Sequence, residues 1–308
     1  ASWLFPVATA FFILGFVLYW FFRVLYFVFH LRGGYRRTRE HEKIDWIEKL
    51  NALPPENYSL QVPRWQEIYH LVVVPSYKEP YEILKETFRS LKNSDYPKEK
   101  MIVVLGIEQG YGEKAKEIAS LLHREFQDDF FQFLVTEHPA DIPGEIAGKG
   151  SNETWALRRT KEQIIDTLHI PYEHIVVTSL DADSVVYPKY FSCVTYHYLT
   201  STAPLRHSYQ PVPLFLNNIW QASMLSRIFA FSTTFWYLMN QERPEKLGTF
   251  SSHSMSFKAL VEVGFKQTNF AVDDSRIFWQ CFLRFDGDYR VQPLYYPISM
   301  DANVAPTF

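Results

Sequence analysis

Residues 175–184 read IVVTSLDADS, an apolar run followed at once by two acidic residues. The run predicts a buried strand, and Asp181 and Asp183 leave its end on the same side if the chain stays extended. Two carboxylates at that spacing repel each other unless a cation neutralises them. Mg²⁺ and Mn²⁺ take oxygen ligands and commonly bridge protein carboxylates and a diphosphate. The segment therefore predicts a divalent-metal site at a strand end, with two solvated loop aspartates as the alternative.

Short apolar runs alternate with amphipathic stretches on both sides of this segment. Strands are predicted at 71–74, 101–107, 131–136 and 175–180, and helices at 81–91, 112–126 and 152–168. This alternation is typical of an α/β fold with a mainly parallel sheet flanked by helices on both faces. Ligands of such sheets bind at the carboxyl ends of the strands, so the residues just after each strand are the candidates for a site.

The composition suits a globular chain that also contacts a membrane. Of 308 residues, 47% are hydrophobic and 17% aromatic, which is enough for a sizeable core. The net charge of −3 gives no indication of a nucleic-acid partner. The two cysteines, Cys193 and Cys281, lack metal-ligand spacing, and we expect both to be small buried hydrophobes in a reducing compartment.

The N-terminal segment predicts a membrane-spanning helix. No charged side chain occurs from Trp3 to Phe22, and the apolar run continues to Phe29 with only Arg23 in between. About 20 apolar residues in a helix cross a bilayer. Four arginines follow within residues 32–39 and mark that side as cytoplasmic. The alternatives are a signal peptide, for which the run is too long and lacks a cleavage site, and a buried core helix.

Three more predicted strand ends or helix starts carry polar motifs. They are VVVPSYKEP at 72–80, LGIEQG at 105–110, and AGKGSN at 147–152, and a fourth motif, FAVDDSR at 270–276, leads into a predicted helix at 277–285. With the acidic pair, and in this order, the motifs resemble those of the family-2 glycosyltransferases, the cellulose- and hyaluronan-synthase-like membrane enzymes. The resemblance covers roughly residues 68–302.

The resemblance implies a role for each matching residue. Pro75, Tyr77 and Glu79 would line the nucleotide pocket, although Lys78 stands where the family has Asn or Asp. Glu108 would take the place of an aspartate that holds the base or ribose. Those interpretations compete with an ordinary strand-to-helix turn at 75–80 and with a solvated acid at 108.

Two further roles concern the diphosphate and the acceptor. Lys149 would pair with a phosphate near a helix N-terminus, where anions are favoured, and Asp181 would bind the nucleotide sugar as well as the metal. Asp274 would take the proton from the acceptor hydroxyl, the general-base role that an inverting transfer needs. The alternatives without a catalytic role are that Lys149 is a solvated loop residue and that Asp274 only caps its helix.

The family also implies an architecture and an activity. The expected fold is that of nucleotide-diphospho-sugar transferases (GT-A-like), with a transmembrane helix at 1–31, a cytoplasmic connector at 32–67 and a catalytic domain at 68–302. The expected activity is inverting transfer, assisted by Mg²⁺ or Mn²⁺, of a sugar from a nucleotide-diphosphate sugar, by default a UDP-sugar, to a polysaccharide or a lipid-linked acceptor.

The family's Q-x-x-R-W segment is absent, so residues 303–308 are expected to begin a truncated membrane part. The intact protein would then be multi-pass, in contact with membrane lipids, and in the plasma membrane if bacterial, with a cytoplasmic catalytic domain. The number of subunits stays open. The aromatic stretch 217–239 is expected to be core in its first half and to contact the membrane in its second, and His253 is a candidate for the acceptor channel.

Three other functions compete with this one. A polyprenyl-phosphate glycosyltransferase would use the same donor site with another acceptor. A non-catalytic, membrane-tethered nucleotide-binding module would keep the fold without turnover. A P-loop nucleotide hydrolase would use Lys149, but Pro143 and Gly150 stand where that motif needs Gly and Ser or Thr.

Overall fold

The structure is a computed structural model that describes residues 3–270 and 272–302. Within them, eight strands form one mixed sheet. They are β1 (Tyr69–Ser76), β2 (Met101–Glu108), β3 (Gln132–His138), β4 (Ile175–Ser179), β5 (Val185–Val186), β6 (His207–Leu214), β7 (His253–Ser256) and β8 (Arg290–Ser299). The expected beginning of a membrane part at 303–308 lies outside the described residues.

The strand order is β3-β2-β1-β4-β7-β6-β8-β5. The first four strands run parallel to one another, so their carboxyl ends open at one edge. β7 is antiparallel to both β4 and β6, β8 is parallel to β6, and β5 is antiparallel to β8. The predicted mixed, mainly parallel sheet is thereby confirmed.

Helices cover both faces of the sheet. Those of the described residues are α1 (Pro6–His41), α2 (Trp46–Ala52), α3 (Tyr81–Lys92), α4 (Glu113–Phe126), α5 (Lys149–Thr160), α6 (Tyr190–Thr200), α7 (Met224–Gln241), α8 (Phe257–Glu262) and α9 (Asp273–Arg284). Because side chains alternate along a strand, Val72 and Val74 of β1 pack in one core with α3 and α6, whereas Leu71 and Val73 pack in the other with α5 and α9. Burial on both faces explains the unbroken apolar run of β1.

The N-terminal helix α1 is longer than the predicted span. It has 36 residues and continues past residue 31 to His41, so it is roughly 54 Å long at 1.5 Å per residue. Among the described residues it is the one helix long and apolar enough to cross a membrane, and its most apolar window is not buried. Its last turns pack on the domain: a Cβ at Gly34 would collide with the backbone carbonyl of Leu238 in α7, and Arg37 pairs with Glu242 at 3.3 Å.

The stretch 217–239 differs from expectation in its first half. Trp220, Met224 and Leu225 are 82%, 76% and 68% exposed, whereas Ile219 and Ala222 are buried, so the expected core location of this half is correct only in part. The physical reason is that α7 begins only at Met224, and nothing in the described part of the chain covers its outer face. The inner face is buried at Thr234 and Leu238.

Candidate active site

The carboxyl ends of the parallel strands open into a cleft of about 980 Å³. Every sequence-predicted site residue except Asp274 and His253 lines it, namely Pro75, Tyr77, Glu79, Glu108, Lys149, Asp181 and Asp183. These residues lie at or just after the ends of β1, β2 and β4 or begin α5, so the parallel topology accounts for their meeting. His253 is different: it is buried within β7 and is not part of the lining.

The turn after β1 is held by Glu79. One carboxylate oxygen of Glu79 accepts from the backbone N–H of Tyr77 at 2.7 Å, from that of Lys78 at 3.1 Å and from the Ser76 hydroxyl at 2.9 Å. These bonds fix the loop that the sequence predicted to contact the nucleotide. The Tyr77 ring is half exposed and lies 6.0 Å from that of Tyr111, so an aromatic face is open at this end of the cleft.

His138 lies between two acidic side chains of the cleft. The Nδ1 atom of His138 lies 2.9 Å from Glu108, and its Nε2 atom lies 3.1 Å from Glu145. All three side chains line the cleft. Of these only Glu108 was predicted; His138 ends β3, so its place at a strand end was the signal that could have identified it.

Asp181 has its charge balanced inside the protein. Its Oδ1 atom accepts from Nζ of Lys149 at 2.6 Å, and its Oδ2 atom accepts from the Ser251 hydroxyl. Burial would raise the pKa of Asp181, but the charge of Lys149 and these hydrogen bonds lower it below the ordinary value. Ser251 has a φ of +46°, a left-handed conformation that is costly for a side chain with a Cβ.

Asp183 lies in a more acidic environment. Its Oδ2 atom accepts from the backbone N–H of Asp301 at 3.3 Å. Burial, and then the charges of Asp181 and Asp301, raise the pKa of Asp183 to about 7. Three carboxylates therefore line one part of the cleft, and this oxygen-only donor set fits Mg²⁺ or Mn²⁺, whose charge would relieve their repulsion. Asp301 was not predicted.

Lys149 contacts both the metal-ligand candidate Asp181 and the predicted general base Asp274. Besides Asp181, its Nζ atom contacts Oδ1 of Asp274 at 3.1 Å and Oδ2 at 3.3 Å. Burial would lower the pKa of Lys149, but the carboxylates of Asp181, Glu153 and Asp274 raise it well above the ordinary value. Asp274 lies in the first turn of α9, whose N-terminus has no side-chain cap, so the capping alternative is not observed.

A glycine allows the two helices to meet at this point. A Cβ at Gly150 would lie 2.7 Å from the Cβ of Asp273, so a side chain there would separate the first turns of α5 and α9. This contact explains why the loop has Gly150 where a P-loop needs Ser or Thr. The same loop follows β3, not the first strand of the domain as in a P-loop protein.

Beneath the cleft lies a buried ionic cluster that was not predicted. Lys266, only 4% exposed, contacts Glu153, which is fully buried, and lies 2.7 Å from Oδ2 of Asp273 and 3.4 Å from Oδ1 of Asp274. Burial raises the pKa of Glu153, and the charge of Lys266 opposes that rise. Glu153 lies four residues after Lys149 on α5, and this spacing could have indicated a shared face.

No protein-family model matches the chain, and no curated protein resembles it in sequence. Solved structures do resemble it in fold. The mannosyltransferase PcManGT from Pyrobaculum calidifontis, in complex with GDP-Man and Mn²⁺, is 16% identical with a TM-score of 0.50, and the match covers 90% of this chain and 65% of that one. TarS of S. aureus with UDP-GlcNAc (11% identity, TM-score 0.47, 78% and 60% covered) and GalNAc-T7 with UDP, GalNAc and Mn²⁺ (9%, 0.48, 77% and 44%) are also similar.

The chain thus spans about two thirds of the length of the mannosyltransferase that it matches. At such low identity the likeness concerns the fold alone. The chain therefore has a GT-A-like glycosyltransferase fold, as the sequence predicted, preceded by one apolar helix of membrane-spanning length.

Proposed function

We propose that this chain is the catalytic part of a membrane-anchored, inverting glycosyltransferase that uses a nucleotide-diphosphate sugar. The position of Lys149 carries the proposal, because its ammonium group joins Asp181 to Asp274 at the edge of a cleft large enough for such a donor. Asp181 and Asp274 come from separate regions of the chain. A sugar transfer needs such a convergence, with the diphosphate on one side of the anomeric carbon and a base on the other.

The donor would lie across the strand ends. Its base would occupy the end with Tyr77 and Glu108, where an open aromatic ring and a carboxylate offer stacking and hydrogen bonding. A uridine nucleotide follows from the family-2 resemblance. GDP-Man, which is bound in the structurally similar mannosyltransferase, is the second donor to test.

The diphosphate would lie near Asp181, Asp183 and Lys149. A divalent cation held by the two aspartates would neutralise the departing diphosphate. Lys149 would exchange its contact with Asp181 for one with a phosphate oxygen as a point charge. Asp274 would accept the proton of the acceptor hydroxyl while the new bond to the anomeric carbon forms and the bond to the diphosphate breaks. The proton ends on Asp274 and the electron pair on the diphosphate.

The membrane would hold the enzyme by two surfaces. α1 supplies an exposed apolar helix long enough to span a bilayer. The outer face of α7, which packs beside α1, exposes a row of large apolar side chains, namely Ile228, Phe229, Phe231, Phe235 and Trp236. Such a face is typical of a helix that lies in the membrane interface.

The arginines at 32–39 favour a cytoplasmic catalytic domain. The acceptor would then be a polysaccharide or a lipid-linked glycan.

The test is a thermal-shift panel of UDP, GDP, ADP and CDP with and without Mn²⁺, followed by a transfer assay with the sugar donor of the nucleotide that stabilises the chain. A ligand at 100 times its Kd stabilises the native state by about 2.7 kcal/mol. We expect one nucleotide to raise the melting temperature only when metal is present, and less so in Asp183→Asn. Stabilisation without metal dependence would contradict the metal role.

Product analysis separates the competing functions. A sugar found on a polyprenyl phosphate would favour the lipid-phosphate transferase. Nucleotide binding without transfer to any glycan or lipid acceptor would favour the non-catalytic module. Release of inorganic phosphate from a nucleoside triphosphate, with no sugar present, would favour the P-loop-type hydrolase.

A further inference from the structure

A second group of metal-ligating side chains lies where the last turn of α1 meets α6. The Sγ atom of Cys193 and one ring nitrogen each from His41 and His197 all lie within 4.8 Å of one another. Cys193 and His197 are four residues apart on α6 and therefore share a face. His41 comes from the far end of α1, so the group joins two distant parts of the chain. None of the three residues lines the donor cleft.

The imidazole of His41 is oriented as a metal-ligating imidazole would be. Its Nδ1 atom lies 2.9 Å from the backbone carbonyl of Leu294, and only a protonated nitrogen can donate to that oxygen. The proton on Nδ1 leaves the lone pair on Nε2. A backbone carbonyl in this position is a common outer partner of metal-bound histidines, because it fixes both the tautomer and the ring.

The imidazole of His197 has a buried nitrogen without a partner. Its Nε2 atom is buried and makes no hydrogen bond, while its Nδ1 atom lies 3.0 Å from the side-chain amide of Gln292. The atom of Gln292 that faces Nδ1 is the amide nitrogen Nε2. Rotating the amide by 180° exchanges it with Oε1 at the same place, so that Nδ1 donates and Nε2 of His197 keeps its lone pair for a metal. An unpaired buried polar atom is costly, and a bound cation would satisfy it.

We propose that His41, Cys193 and His197 bind a zinc ion that fastens the last turn of α1 to α6. Two imidazoles and a thiolate form a ligand set for Zn²⁺ and not for Mg²⁺ or Ca²⁺, which prefer oxygen. In a tetrahedral zinc site neighbouring ligand atoms are roughly 3.5 Å apart. Side-chain adjustments of about 1 Å therefore bring the three atoms from their present separation to that distance.

A zinc ion would change the balance of charge around the buried thiol of Cys193. Cys193 is fully buried, and a bound zinc ion would hold it as the thiolate, with release of the thiol proton. The thiolate would offset one of the two charges of zinc. It would also offset the ammonium group of Lys49, which lies over the rings of Trp46 and Tyr196 beside the cluster.

The position of the site gives it a mechanical role. α1 is the apolar helix, and α6 packs in the core on which β1 and β4 rest. A bond from His41 to α6 would fix how the membrane helix is set against the catalytic domain. This proposal does not depend on the sugar-transfer proposal, because it involves neither the cleft nor Asp274.

The test loads the whole chain, purified in detergent, with Co²⁺ as a spectroscopic substitute for Zn²⁺. We expect a thiolate-to-cobalt charge-transfer band and one zinc per chain that competes for the same site. Oxygen ligands give no such band, so binding at Asp181 and Asp183 does not interfere. Cys193→Ser should abolish the band, whereas Cys281→Ser, which changes the other buried cysteine, should keep it.

A second variant keeps the test decisive if Cys193→Ser does not fold. His41→Gln removes the one ligand on α1 and should weaken zinc binding at least about 100-fold. Zinc should raise the melting temperature of the wild type and of Cys281→Ser but not that of His41→Gln. The absence of a thiolate band in the wild type, or its persistence in Cys193→Ser, would overturn the proposal.

Discussion

The ammonium group of Lys149 lies 2.6 Å from Oδ1 of Asp181. It therefore neutralises a carboxylate that is also a proposed ligand of the metal. Lys149 begins α5, which follows β3, and Asp181 follows β4, so the contact joins connections from two strands that β1 and β2 separate in the sheet. It keeps Asp181 ionised while no ligand is bound. We infer that donor and metal together displace Lys149 from Asp181, which turns an internal ion pair into a phosphate contact.

Replacing Lys149 by Met should therefore weaken donor binding. Hydrogen bonds to charged groups contribute roughly 1.5–3 kcal/mol, so we expect kcat/KM to fall by about 10- to 100-fold. Lys161→Met is a matched control, because Lys161 pairs with Asp166 outside the cleft. Steady-state kinetics with the donor varied would show the effect. Unchanged kinetics in Lys149→Met would mean that the side chain has only a structural role.

Asp273 and Asp274 are adjacent, but replacing them should affect different properties of the protein. Asp274 is partly exposed and contacts Lys149, whereas Asp273 is buried against Lys266. Asp274→Asn should lower kcat by about 10²- to 10⁴-fold, the usual contribution of a general base, with nucleotide binding and melting temperature nearly unchanged. Asp273→Asn should mainly lower the melting temperature. Near-normal turnover in Asp274→Asn would exclude it as the base.

The buried cluster around Lys266 predicts a rescue. Lys266→Met leaves the carboxylate of Glu153 buried without its cation, and removing one partner of a buried pair costs about 3–5 kcal/mol. Adding Glu153→Leu removes that uncompensated charge, so the double variant should be more stable than Lys266→Met by at least about 1 kcal/mol. Denaturant titrations of the two single variants and the double variant measure this. Simple addition of the two losses would show that the pair is not coupled.

Strand-end chemistry explains why most of the cleft could be predicted from the sequence. The apolar runs of β1 and β4 are typical of strands buried on both faces, and Glu79 and Asp181 come shortly after the ends of these strands. Parallel strands bring such loops together whatever the details of packing. The length of α1, by contrast, was underestimated, because the polar residues after 31 lie on a helix whose end is held by tertiary contacts such as that of Gly34 with Leu238.

The remaining site residues depend on pairings that no local pattern contains. Lys266 and Glu153 meet only because α5 and the segment before α9 pack on the same face of the sheet. Asp301 comes just after β8, the last strand in the sequence, and it lines the cleft because β8 lies in the same sheet as β4. The exposure of Trp220 could not be predicted either, since an apolar aromatic stretch reads the same in a core and on a membrane-facing surface.

His70 predicts how the stability of the fold depends on pH. It is fully buried in β1, with Nε2 2.8 Å from the hydroxyl of Thr195, and burial lowers its pKa to about 3. Above pH 6.5, the ordinary histidine value, His70 is neutral in both the native and the unfolded state and adds no pH dependence. Between pH 6.5 and about 3 only the unfolded state binds the proton. The free energy of unfolding should therefore fall by up to about 1.4 kcal/mol per pH unit from this residue.

The measurement compares wild type with His70→Gln in denaturant titrations at pH 7.5 and pH 5. Other buried histidines contribute equally to both proteins, so they cancel in the comparison. The loss of unfolding free energy on acidification should be smaller in His70→Gln by about 2 kcal/mol. Thr195→Val removes the hydrogen-bond partner but keeps the buried imidazole, and it should retain the wild-type dependence. Equal losses in wild type and His70→Gln would mean that His70 becomes protonated within the folded protein.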